Sequence, residues 1–100
     1  VAATEEAEAM FLAAYHFEGD PGDLARKYDV MREAFADDDL ILHVCVVGAN
    51  GMTIYDACPD RATFEAFSSG APFAAELERS GLPSPRIEPL GEVHAAVKTS

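Results

Sequence analysis

Positive charge is scarce in this chain. Seven Lys and Arg stand against 18 Asp and Glu, for a formal net charge of −11. The seven are scattered and form no basic patch. Nucleic acid and anionic membrane surfaces both need clustered positive charge, so both are excluded as partners. Long apolar runs are missing as well: none approaches the ~20 residues that span a bilayer. Cysteine is limited to two residues. With no secretory leader in view, that usage predicts a reducing, cytoplasmic setting. Linkers and internal repeats are absent. What is present is an ordinary apolar share, 49%, which fits a globular protein rather than a disordered one. One hundred residues make one domain. The core of so small a domain is thin, and pairing would bury more apolar surface. Residues 1–9 carry three Glu and no large apolar side chain. They are expected to form a flexible acidic tail, with a single domain over 10–100.

The chain reads as alternating strands and helices. Phe11 to Glu18 is apolar and aromatic and predicts a strand. It stops at Gly19-Asp20-Pro21-Gly22, which also starts a helix: Asp20 is a good N-cap and Pro21 suits the first helical position. Leu24, Tyr28, Met31 and Phe35 then form one apolar stripe at helical spacing. Tyr28 reads as core. Asp37-Asp38-Asp39 predicts a solvated turn. Leu40 to Val47 is a β-branched run broken by His43 and Cys45, as expected of a strand covered on both faces. Asn50-Gly51 is a hairpin signal of type I′, and Met52 to Cys58 returns as the partner strand. Asp60 starts a second helix with Phe64 and Phe67 on its stripe. Ser68-Ser69-Gly70 interrupts it, Pro72 restarts it with Phe73 and Leu77, and Gly81 closes it. Ile87 to Val97 predicts a last strand kinked at Pro89 and Gly91, and its proline implies a sheet edge.

This order, β-α-β-β-α-β, predicts an α+β, ferredoxin-like antiparallel sheet with helices on one face. The other face would be open, yet the strands are apolar on both sides. A small monomer rarely exposes that much apolar surface. A homodimer formed across the open face resolves the conflict.

A turn centred on Asn50-Gly51 pairs Val47 with Ile54, Cys45 with Asp56 and His43 with Cys58, all on one face with Ile41. The other face carries Leu40, Leu42, Val44 and Val46, with Thr53, Tyr55 and Ala57. The second set is the more uniformly apolar, so it is assigned to the helices and the polar set to the open face. Cross-strand neighbours lie about 4.5 to 5.5 Å apart at Cβ. His43, Cys45, Asp56 and Cys58 are then mutual neighbours. A buried Asp56 needs a donor, and His43 can supply it from the diagonal position. Such a pair can act as a general base, with the carboxylate orienting the imidazole. It can equally be a satisfied structural hydrogen bond. Two Cys, a His and an Asp could also hold zinc, but adjacent flat strands converge poorly on a tetrahedron and no C-x-x-C spacing exists, so no metal is assigned. A Cys45–Cys58 disulfide has poor geometry, and a thiol nucleophile would be weakened by the nearby acid. Small core residues are the plain reading of both cysteines. His16 and His94 fall on the first and last strands, and Tyr15 and Tyr55 could each place a hydroxyl near the site.

At Met52-Thr-Ile-Tyr-Asp-Ala-Cys-Pro-Asp-Arg-Ala-Thr-Phe-Glu-Ala-Phe67, continuing through Ser-Ser-Gly-Ala-Pro-Phe73, the sequence resembles the dimeric α/β-barrel superfamily, and within it the antibiotic biosynthesis monooxygenase-like branch. The motif covers about a quarter of the chain, and the order of elements agrees over nearly all of it. The resemblance implies two sheets forming a barrel between subunits, with a ligand cavity in each half and Ile54, Asp56 and Cys58 facing inward. A strand-end tryptophan of such proteins corresponds to Cys58. The iron-binding histidine of haem-degrading relatives corresponds to Leu77. With both missing, haem degradation is not expected. Relatives that oxidise polycyclic phenols without a cofactor deprotonate them with polar cavity groups.

Two functions follow as expectations. The first is a cofactor-independent monooxygenase-, cyclase- or isomerase-like enzyme acting on an apolar aromatic or polyketide-like small molecule. His43 and Asp56 would be catalytic, and His16, Cys45, Ile54, Tyr55, Cys58 and His94 would contact substrate. The second is a non-catalytic dimeric ligand-binding or accessory protein.

Overall fold

The computed structural model describes residues 10–34 and 42–97. The expected acidic tail, Phe35, the Asp37–Asp39 turn, Leu40 and Ile41 lie outside the described residues. The elements run β1 (Phe11–Glu18), α1 (Pro21–Ala34), β2 (Leu42–Val47), β3 (Gly51–Cys58), α2 (Arg61–Ser68), α3 (Ala71–Ser80) and β4 (Arg86–Glu92). The four strands form one sheet in the order β2-β3-β1-β4, and every neighbouring pair is antiparallel. This is the α+β, ferredoxin-like architecture that the sequence predicts.

Local chemistry sets the boundaries. The Asp20 side chain accepts from the Asp23 backbone N–H at 2.9 Å, which starts α1. Asp60 caps α2 in the same way through Thr63. Gly70 separates α2 from α3, and Gly81, at φ 83°, ends α3 in a left-handed conformation that suits glycine. The last strand is shorter than expected, ending at Glu92 rather than Val97. Its pairing with β1 shifts between Leu12 and Ala13, where Pro89 and Gly91 are the partners. Proline cannot donate to a ladder, and β4 lies at the sheet edge.

The hairpin corrects the expected turn. Gly48 N–H donates to the Gly51 carbonyl at 2.9 Å, and Val47 pairs with Met52. The tight turn is therefore centred on Ala49-Asn50, and neither Asn50 nor Gly51 has positive φ. Gly51 is needed for another reason. A Cβ there would lie 2.3 Å from the Phe17 carbonyl oxygen on β1. Moving the turn centre by one residue moves each partner by two, so face membership survives. His43 consequently stands directly opposite Asp56, and Cys45 opposite Ile54.

The covered face is also the reverse of the one expected. The core under the helices is built from Phe11, Ala13, Tyr15 and Phe17 of β1, Met52, Ile54 and Cys58 of β3, and Leu24, Met31, Phe64 and Phe73 of the helices. His43, Cys45 and Asp56 belong to that same face by alternation. Leu42, Val44 and Val46 lie on the uncovered face, 48%, 42% and 47% exposed. The large side chains of central β1 outweigh the valines of edge strand β2 in buried area. Asp56 accompanies them inward because it has a donor waiting.

Candidate functional site

Three elements deliver one connected polar chain to the covered face. Asp56, on β3, is 4% exposed. Its Oδ1 accepts from His43 Nδ1–H on β2 at 2.5 Å. With that proton on Nδ1, His43 Nε2 is an acceptor. It receives the Tyr28 hydroxyl of α1 at 2.6 Å. The Tyr28 and His43 rings lie 16° from parallel, with centroids 5.7 Å apart. The carboxylate thus fixes the tautomer and the phenol holds the ring from its other side. Burial, first of all, pushes the Tyr28 hydroxyl above its ordinary range, with the Cys45 thiol adding to the rise.

Tyr15, on β1, stands next to this chain. It is 2% exposed, and its hydroxyl is the buried side-chain polar atom left without a hydrogen-bond partner among the described residues. Phe64, Phe67 and Phe73 surround its ring at centroid distances of 6.4, 6.4 and 5.5 Å. Burial, and then the negative charge of Asp56 and the neighbouring Cys58, push its pKa well above that of an ordinary phenol. The hydroxyl therefore stays a neutral donor.

Of the residues singled out in the sequence, His43, Asp56, Cys45, Ile54 and Cys58 come together on the covered face. Burial, with Asp29 beside it, pushes the Cys45 thiol up, which disfavours a thiolate nucleophile. His16 and Tyr55 do not join them. His16 lies on the uncovered face, where Nε2–H donates to Glu88 at 2.8 Å and Nδ1 accepts from the Thr53 hydroxyl at 3.1 Å. Tyr55 alternates to that face too, and His94 is exposed beyond β4. Neither cysteine is in a disulfide. No group of three or more His, Cys, Asp or Glu placed to hold a metal occurs among the described residues, nor does any helix there have the length and apolarity to cross a membrane.

Sequence reasoning missed Tyr28 as a site residue. Its place on the helix stripe marked it as core, and the hydroxyl's need for a buried partner was the available signal.

No protein-family model matches the chain, and no curated protein matches it. Solved structures do. A candidate antibiotic biosynthesis monooxygenase from Bacteroides thetaiotaomicron superposes with a TM-score of 0.65 at 14% identity, covering 94% of this chain and 99% of that one. The chain shares the fold of antibiotic biosynthesis monooxygenase-like proteins. SnoaB of Streptomyces nogalater, a cofactor-independent oxygenase, gives a TM-score of 0.56 at 14% identity over 90% of this chain and 93% of its own. The NE2512 protein of unknown function from Nitrosomonas europaea gives 0.64 at 22% identity over 93% and 99%. Within that monooxygenase-like fold, the present chain places its Tyr28–His43–Asp56 series between the sheet and the first helix.

Proposed function

We propose that this chain is a cofactor-independent proton-transfer enzyme of the monooxygenase, cyclase or isomerase kind, acting as a homodimer on an apolar aromatic or polyketide-like small molecule. The buried Asp56–His43–Tyr28 series is the observation that carries this reading. Asp56 orients the imidazole and offsets the positive charge it gains on accepting a proton. Nε2 is the accepting atom. The acidic O–H of a phenolic or enolic substrate, or the acidic C–H of its keto form, takes the place of the Tyr28 hydroxyl there, or passes its proton through it. The substrate anion formed then reacts with dioxygen, supplying the electrons itself while the second oxygen atom leaves as water, or it cyclises or isomerises. The aromatic rings beside Tyr15 suit an aromatic partner. The solved structures of like fold, one of them a cofactor-independent oxygenase, support the same class of chemistry. The exposed Leu42, Val44 and Val46 on the uncovered face support the dimer.

One observation favours the second reading, a ligand-binding or accessory protein: both nitrogens of His43 are already satisfied by protein groups. Deuterium exchange separates the two. Anthrone is a carbon acid whose enol is a polycyclic phenol. Its methylene exchange in D2O, followed by NMR, should accelerate with the wild-type protein. His43→Gln and Asp56→Asn should each reduce that acceleration by about 100-fold or more, the usual range for general-base catalysis. Exchange at the buffer rate with wild type, or undiminished in both variants, would sink the catalytic reading.

A further inference from the structure

The Tyr15 hydroxyl has no role in the series just described. It is buried, it lacks a partner among the described residues, and it lies within the field of Asp56 without bonding to it. Buried polar groups are nearly always hydrogen-bonded, and an exception calls for a reason. A phenylalanine would fill the same space among Phe64, Phe67 and Phe73 without the desolvation cost. The hydroxyl is thus a liability to the free protein at a position where an apolar ring would serve the core better. Residues that cost stability in this way are characteristic of binding sites, where the missing partner arrives with the ligand.

We propose that Tyr15 is a ligand-binding residue whose hydroxyl donates a hydrogen bond to an uncharged acceptor oxygen, a ketone or quinone carbonyl, on the aromatic molecule bound beside His43. This rests on the aromatic-ligand reading above and adds to it a second polar anchor with a fixed sense of donation. Asp56 makes the surroundings negative, so a carboxylate or phosphate would be repelled, and a neutral carbonyl is the acceptor that fits. His43 accepts a proton from one part of the ligand, and Tyr15 donates to another. A ligand carrying only a hydroxyl engages one of the two, and a ligand carrying only a carbonyl engages the other.

The test uses 9-fluorenone and fluorene, which share a ring frame and differ by the carbonyl. Binding to the full chain is measured by calorimetry, alongside the melting temperature without ligand. Wild type should bind fluorenone more tightly than fluorene. Tyr15→Phe should weaken fluorenone by about five- to tenfold, the scale of one neutral hydrogen bond, and leave fluorene unchanged. The ligand-free Tyr15→Phe protein should melt no lower than wild type. His43→Gln should keep the fluorenone preference while losing proton exchange on anthrone. Equal binding of the two probes by wild type, or an unchanged preference in Tyr15→Phe, overturns the Tyr15 assignment and leaves the aromatic-ligand reading standing. A lower melting temperature with an unchanged preference also overturns it, because the hydroxyl then has a structural partner such as a buried water. Failure of both probes to bind wild type overturns the aromatic-ligand reading and the Tyr15 assignment together.

Discussion

Three side chains with ordinary individual chemistry become a candidate site through their order. Asp56 alone would be a costly buried charge, and His43 alone a half-buried ring on an edge strand. Placed opposite each other, each supplies what the other lacks. Tyr28 and Tyr15 differ in this respect: the hydroxyl of the first has a partner, and that of the second has none among the described residues. That difference has a pH consequence. An unfolded tyrosine loses its proton near 10.0, whereas folded Tyr15 holds it to a higher pH, chiefly through burial. Tyr28 shifts the same way. Above about pH 10 the folded chain therefore binds more protons than the unfolded one, and its stability falls as pH rises. The tyrosine contribution is fully present below that point. Denaturant titrations at stepped pH should show this alkaline loss, with a shallower slope in Tyr15→Phe. An unchanged slope in that variant would show that Tyr15 does not carry the shift.

The elements explain why this arrangement was only partly visible beforehand. The boundaries of β1 were legible because an aromatic, apolar run ends on a Gly-Asp-Pro-Gly stop. The break between α2 and α3 was legible from Ser68-Ser69-Gly70. The face assignment was not, because β2 alone presents its valines as the better core. The decision lies with β1, whose Phe11, Tyr15 and Phe17 sit at the sheet centre, a fact of strand order rather than of β2's own sequence. The hairpin misled for a related reason. Asn50-Gly51 is a turn dipeptide by local propensity, but tertiary contact uses Gly51 for the close approach of β3 to the Phe17 carbonyl. His43 and Asp56 could still be paired, since the two-residue offset keeps them on one face. Gly51→Ala tests this account. With backbone only 2.3 Å from the new Cβ, the end of the β1–β3 ladder must open, at a cost of about 1–3 kcal/mol, the usual range for strain or a lost buried hydrogen bond. Chemical denaturation reads the loss directly. Asn50→Ala, in the turn and free of that approach, should cost less than about 1 kcal/mol. Equal effects of the two substitutions would return the special role to the Asn-Gly turn.

At the scale of the whole molecule, the helices cover one side of the sheet and leave Leu42, Val44 and Val46 on the other. Along β1 and β3 that side also carries Leu12, Ala14, Tyr55 and Ala57, with the His16–Glu88 hydrogen bond toward the β4 edge. An apolar centre with a polar margin is the usual anatomy of an interface between subunits. The proposed homodimer would join two chains of formal charge −11 each, so repulsion opposes association and burial favours it. Salt screens the first and hardly touches the second. Sedimentation equilibrium at micromolar concentration should therefore give a dimer that tightens from low to moderate ionic strength. Val44→Lys, placed at the middle of β2, should yield a folded monomer with unchanged far-ultraviolet circular dichroism. Because His43 and Asp56 lie on the opposite face of the same two strands, that monomer should keep the hydrogen-bonded His43 Nδ1 proton, observable downfield by NMR. A wild-type chain that sediments as a monomer would overturn the pairing. A Val44→Lys chain that stays dimeric would move the interface off this face.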